Sequence, residues 1–399
     1  MVKNVALVLG GGGSAGHAWT IGVIAGLAEA GVDMTEAADL VIGTSSGATA
    51  AAQVRSGIPP TQLLAPILSE PVPSAGQNRQ GSPSPPMSAV YERMMAIGTA
   101  ATSAIDLCRA MGAFGLESDA TLGPAAAEQR RAMVAARLPH QQWPERPMIV
   151  AAVNAHTGEL VAFNRDSGVD LVDAVTAGTA LPGTVPTHSI NGTRYINGGV
   201  RSAENADLAS GYANVVVLSP FGGRSGTLPA GQFEGIRRSP EWGTDLASQV
   251  EALRKQGSRV EVITPDADSR AAMGTNQMDL ATRNPAARAG FVQGKQEARD
   301  LRLGCGACPR DHLARSLATV RRGGVAWQRS SMRFDGSSRT LLQIACICAP
   351  HVFSRQVRVD ARRGLDMSMP QPLLHVGSIP ASTQQFRRVS VPEHVRSHL

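Results

Sequence analysis

The sequence predicts an α/β fold built on a mostly parallel sheet, and three observations carry that expectation. Short apolar runs alternate with stretches of helical periodicity, two of the strand-to-helix junctions are glycine-rich turns, and 43% of the 399 residues are apolar, enough for one large core. Val5 to Leu9 is an apolar run closed by glycines, which suits a strand buried on both faces. From His17 to Ala30 the residues Ile21, Ile24, Ala25, Leu27 and Ala28 recur at helical spacing, and Gly31 stops the run. Leu40 to Ile42 enters a second glycine-bounded turn, and Ala48 to Val54 reads as the helix that follows, ended by Gly57 and Pro59.

Between residues 70 and 87 prolines, serines and glycines are too dense for a regular element, so this is a loop. Ala89 to Met111 and Pro124 to Leu138 then form a helical insertion, about residues 88–138, read as packing helices beside the sheet in preference to a lipid-binding cap. Strand signals return at Met148 to Val153, Leu160 to Phe163, Val215 to Leu218 and Val260 to Ile263, with a helical pattern from Asp245 to Lys255. The sheet is expected to extend to about residue 265, inside a domain of residues 1–300.

Residues 301–399 differ in character. They hold 15 Arg, no Lys and 5 acidic residues, whereas residues 1–300 hold 23 basic and 27 acidic residues, so the net charge of +6 comes from the tail. A nucleic-acid partner is therefore not expected of the main domain. The tail reads as a poorly ordered extension, or as sequence that is not the natural continuation of the domain, such as a reading-frame change in a GC-rich gene would produce. Four of the five cysteines lie there, as Cys305 with Cys308 and Cys346 with Cys348. The separation of these pairs is not a familiar zinc-ribbon spacing, and no metal is expected. The odd cysteine count, the lack of a long uncharged apolar run and an N-terminus leading straight into a strand give the expectation of a cytoplasmic protein, with at most peripheral contact with a membrane.

The two turns carry the chemistry. Gly43-Thr44-Ser45-Ser46-Gly47 lies where a strand meets a helix, the setting of a nucleophile elbow: the serine occupies a strained turn, and small neighbours let strand and helix approach. Gly10 to Gly16 also closes a strand and opens a helix, so the backbone N–H groups of Gly11, Gly12 and Gly13 are candidates for an oxyanion hole. The same turn satisfies the dinucleotide pattern GxGxxG at Gly11, Gly13 and Gly16. Asp33 and Glu36 fall near the place of the acid that pattern requires, but no strand-length apolar run precedes them. A hydrolase is favoured, with a nucleotide-binding α/β protein as the rival reading.

Taken in order, these motifs resemble the patatin-like phospholipases over about residues 4–265: a glycine-rich turn near the N-terminus, GxSxG about 30 residues on, and a later Asp followed by two small residues. The resemblance implies a three-layer α/β/α sandwich and hydrolysis of lipid acyl esters by a Ser-Asp dyad, with no metal or organic cofactor. It implies Ser45 as nucleophile. The third motif falls at Tyr195-Ile196-Asn197-Gly198-Gly199-Val200, so that Asn197 stands where the family has Asp. A carboxylate can accept the serine proton, and a neutral amide cannot do so usefully, so an impaired enzyme or a catalytically silent lipid-binding scaffold is expected. The first turn also departs from the family, with Ala15 where Arg or Lys is usual. His17, His188 and Asp207 are the other candidates for a base. The Asn197-Gly198 pair raises the further possibility of deamidation to aspartate. The expected partner is a lipid or acyl-ester substrate, met in transient contact with a membrane interface.

Overall fold

The computed structural model describes residues 4–70, 87–222, 236 and 238–301, together with the backbone of three later strands. The chain divides into two units, Met1–Gly306 and Ala307–Leu399. The Pro/Ser/Gly-rich loop over 71–86 and the pair Cys305 and Cys308 lie outside the described residues.

The first unit is a three-layer α/β/α sandwich, as the sequence predicts. It opens with β1 (Val5–Leu9), α1 (Gly13–Glu29), α2 (Met34–Ala37), β2 (Leu40–Thr44), α3 (Ser46–Val54) and α4 (Pro60–Ser69). The helical insertion follows as α5 (Met87–Ala100), α6 (Ala104–Leu122) and α7 (Pro124–Ala135). Then come β3 (Met148–Asn154), β4 (Leu160–Phe163), α8 (Leu171–Gly178), β5 (His188–Ile190), β6 (Thr193–Asn197), β7 (Asn214–Leu218), α9 (Leu246–Lys255) and β8 (Arg259–Ile263), with α10 (Ala267–Met273) and α11 (Arg283–Glu297) at the end. The order across the sheet is β5-β6-β3-β2-β1-β7-β8, with β4 on β3. The pairs from β3 to β8 along that order are parallel, and β4, β5 and β6 pair antiparallel.

β1 shows why the centre of the sheet reads as an unbroken apolar run. Val5, Leu7 and Leu9 point into a core with α1, α3, α4 and α8, while Ala6 and Val8 point into the opposite core with Tyr212, Val250 and Leu253. A third cluster joins α5 and α6 to Val153, Ile196 and Val200. The insertion thus packs where β3 and β6 run out from the sheet.

One boundary differs from the sequence reading. The helical run expected over Ala89 to Met111 breaks near Ser103, whose hydroxyl accepts the Asp106 N–H at 3.2 Å and starts α6; α6 then continues to Leu122, where Gly123 at φ 74° and Pro124 end it. Beyond the last strand, α10 and α11 continue the unit. α11 lies along α1, and a Cβ added at Gly22, Gly26, Gly290 or Gly294 would overlap the backbone of the facing helix. The two helices therefore meet backbone to backbone, and Trp19 Nε1 donates to Gln293 Oε1 at 3.0 Å across the seam.

The second unit contains β9 (Phe334–Asp335), β10 (Arg339–Cys348) and β11 (His351–Asp360), an antiparallel sheet in which Cys346 pairs with Phe353 and Cys348 with His351.

Candidate active site

Ser45 follows the last residue of β2 and precedes the first residue of α3, with φ 56° and ψ −127°. A non-glycine residue in that region costs of order 1–3 kcal/mol and must be held by its surroundings. The glycines on either side allow it. A Cβ on Gly47 would overlap Leu9 O, and one on Gly43 would lie 2.5 Å from Ala48 Cα. Only with both positions bare can α3 turn back across the ends of β1 and β2.

The sheet register delivers Asn197 to the same place. Thr44 on β2 lies opposite Ala151 on β3, and Asn197 on β6 lies opposite Ala152. Ala151 and Ala152 both face β4 on their other side, so β2 and β6 share one edge of β3 and meet there end to end. The Asn197 Nδ2 donates to Ser45 Oγ at 2.9 Å, and its Oδ1 accepts the Gly199 N–H at 2.8 Å. The orientation of the amide follows from the second bond, because an N–H donor must face the oxygen. Asn197 therefore presents a donor to Ser45, the reverse of what a proton acceptor requires.

The glycine turn approaches from the other side. A Cβ on Gly11 would lie 3.0 Å from Ser45 Cβ and 3.6 Å from its Oγ. The three expected donors are not equivalent. The Gly11 N–H is committed to Ala203 O at 2.8 Å, and the Gly12 N–H to the hydroxyl of Ser46 at 3.0 Å. Gly13, at φ 62°, begins α1, whose first N–H groups an α-helix leaves without intrahelical partners. Gly11 and Gly12 thus have their donors held by other acceptors, and Gly11 comes close to Ser45 because it lacks a side chain.

The other candidate bases are engaged elsewhere. His17 is buried, its Nε2 is 2.8 Å from Gln53 Oε1, and burial with the nearby Arg283 lowers its pKa to about 4. His188 Nε2 meets Asp173 Oδ1 at 2.9 Å, and burial lowers its pKa as well. Asp207 pairs with Arg201 at 2.7 Å and accepts from Gln249 Nε2 at 2.8 Å. The hydrogen bonds of these three residues do not include Ser45.

Two residues support this arrangement. Asn205, fully buried at φ 52°, directs its Nδ2 to Thr44 Oγ1 at 3.1 Å, Gly198 O at 3.2 Å and Ser202 O at 2.9 Å, tying the end of β2 to the turn after Asn197. Arg238 donates to Arg201 O at 2.6 Å, to Val200 O at 3.0 Å and to Gly199 O, and so clamps that turn; burial lowers its pKa to about 10. Behind the first turn, Glu204 accepts from Ser219 Oγ at 2.6 Å, and burial raises its pKa. Asn205 follows the third motif as the family's pattern runs, but its contacts come from the fold, and a lone Arg carries no pattern at all. Among the described residues no cluster of three His, Cys, Asp or Glu could hold a metal, and no helix is long and apolar enough to cross a membrane.

A serine in a strained strand-to-helix elbow, faced by a glycine turn and set at the ends of parallel strands, is the architecture of a serine acyl hydrolase. The patatin-like phospholipase family profile matches residues 7–210, half of the chain, and the chain belongs to that family, whose members act as lipid acyl hydrolases. Among solved structures it is similar to VipD from Legionella pneumophila, with 13% identity, 75% of this chain and 67% of that one covered, and a TM-score of 0.35. It is also similar to the type III effector protein ExoU, with 16% identity, 73% of this chain covered and a TM-score of 0.27. The chain spans about half, 54%, of the ExoU chain. No curated protein matches.

Proposed function

We propose that this chain is a lipid acyl hydrolase in architecture whose turnover is severely weakened by Asn197. In this reading Ser45 attacks the acyl carbonyl carbon, the developing oxyanion takes N–H donors from Gly12 and Gly13 at the start of α1, and Asn197 occupies the base position. The single observation that carries it is the polarity of the Asn197–Ser45 contact. An Asp in the same pose would accept the Gly199 N–H with one oxygen and the Ser45 O–H with the other; the amide instead donates to Ser45 and leaves its proton without an acceptor. General-base assistance contributes about 10²- to 10⁴-fold, and this is the loss assigned to the amide.

The nucleotide-binding reading finds less support. β2 runs into Ser45 and not into a ribose-binding acid, and the first turn packs on Ser45 instead of opening over a pocket. A fluorophosphonate probe, which phosphonylates an activated serine, tests the assignment. Asn197→Asp should label quickly, the natural sequence slowly and Ser45→Ala not at all. Labelling that survives Ser45→Ala would place the nucleophile elsewhere.

A further inference from the structure

The first turn of α1 is held from outside by the segment that joins α10 to α11. The Ala15 N–H donates to Gln277 O at 3.0 Å, and Arg283, paired with Glu70 at 2.6 and 3.0 Å, reaches Ser14 Oγ at 3.3 Å. A Cβ on Gly13 would lie 2.8 Å from Gln277 O and 3.0 Å from Met278 Sδ, so glycine is needed there for this approach as well as for its φ of 62°. Three consecutive residues of the turn, Gly13, Ser14 and Ala15, each meet the 277–283 segment.

That segment is braced by bonds of its own. Asn276 Oδ1 accepts the Met278 N–H at 3.1 Å, Asp279 Oδ1 accepts the Ala281 N–H at 2.9 Å, and Asp279 O accepts from the Thr282 hydroxyl at 2.8 Å. Within it Gln277 is buried, whereas Met278 and Leu280 are 48% and 52% exposed. One exposed apolar side chain is ordinary; two on a braced loop against the glycine turn call for an apolar neighbour. Contacts link them to the nucleophile. Gly11 packs on Ser45, with a Cβ there only 3.0 Å from Ser45 Cβ, and Gly13 packs on Met278. Two peptide units separate these glycines, so their Cα atoms are within about 8 Å of each other. Ser45, Ser46, Gly13, Ser14, Met278 and Leu280 are all at least partly open to solvent, so a substrate can touch both ends of this series.

We infer that Met278 and Leu280 are specificity-determining residues that receive the alkyl chain of the acyl group attacked by Ser45. The inference rests on the acyl-hydrolase reading. An acetyl group ends beside Ser45 and does not reach Gly13, whereas a longer chain lying along the turn covers both apolar side chains and removes them from water. The segment acts by selecting chain length, and the proton and oxyanion chemistry stays with the two glycine turns.

The test is made in the full-length Asn197→Asp chain with p-nitrophenyl octanoate and p-nitrophenyl acetate, both kept monomeric. The parent should favour octanoate in kcat/KM by roughly 10- to 100-fold, the range expected for apolar burial of this size. Met278→Asn with Leu280→Asn should remove about 10-fold of that preference, with the loss carried by octanoate, and the exposed positions should keep the fold intact. Met278→Leu with Leu280→Met should preserve it. An octanoate-to-acetate ratio unchanged by the two Asn substitutions would overturn the inference while Ser45-dependent hydrolysis upheld the hydrolase reading. The same unchanged ratio with activity lost only on phosphatidylcholine vesicles would make the pair a membrane contact and overturn it too. Absence of Ser45-dependent hydrolysis of either ester would refute the hydrolase reading itself.

Discussion

Thr44 and Asn197 lie opposite consecutive residues of β3, Ala151 and Ala152, on the same edge of that strand. The parallel strand β2 and the antiparallel strand β6 therefore end face to face, and Ser45, one residue past Thr44, meets Asn197. This meeting depends on the turn at Gly198, where a Cβ would overlap Ala151 O. Gly198→Ala should lower stability by about 1–3 kcal/mol, the usual effect of overpacking a well-filled site, and should displace Asn197 from Ser45. Urea unfolding measures the first, and probe labelling of Ser45 in the Asn197→Asp background the second.

Gly47 makes the corresponding contact for the elbow, since a Cβ there would overlap Leu9 O. Gly47→Ala must push α3 away from β1, with a loss of about 1–3 kcal/mol or more. A denaturation midpoint unchanged from the parent would contradict the packing described for the elbow.

His17 gives the fold an acid sensitivity of its own. Its pKa is about 4 in the folded chain and 6.5 as the ordinary value, so between these limits the unfolded chain binds the proton and the folded chain does not. Stability should therefore fall as pH drops from about 6.5 to about 4, by about 3 kcal/mol for this residue. His17→Gln, compared with the parent by urea unfolding at pH 7 and pH 4.5, should show a smaller loss on acidification.

Asn197 should persist as an amide. Deamidation at an Asn-Gly pair requires the following backbone nitrogen to close a ring on the side-chain carbonyl carbon. Here the side chain is only 3% exposed and held at both ends, by Ser45 Oγ and by the Gly199 N–H. Peptide mapping of protein aged at neutral pH should find the 197–198 pair unconverted in the folded chain and converted more quickly after unfolding.

Much of this arrangement is legible in the sequence because it depends on local pattern. Val5 to Leu9, Leu40 to Thr44 and Val215 to Leu218 are buried on both faces and so appear as apolar runs, and Ser45 carries its own glycines. The identity of Asn197 as Ser45's neighbour comes through the motif order alone. What the sequence conceals lies in long-range pairing. α11 docks on α1 through glycines that read as poor helix formers, Asn205 and Arg238 each tie several groups around the turn after Asn197, and the commitment of the Gly11 and Gly12 donors depends on Ala203 and on the Ser46 hydroxyl. No periodicity encodes such contacts.

The most direct test is the rate of short-chain ester hydrolysis by the natural sequence, by Asn197→Asp and by the double variant Asn197→Asp with Ser45→Ala. A carboxylate at position 197 that accepts the Gly199 N–H is stabilised in its ionised form and can take the Ser45 proton, so Asn197→Asp should raise kcat/KM by about 10²- to 10⁴-fold. The second substitution should abolish the gain. Equal rates for the natural sequence and Asn197→Asp, or a gain that outlasts the loss of Ser45, would contradict the assignment of these two residues as nucleophile and base position.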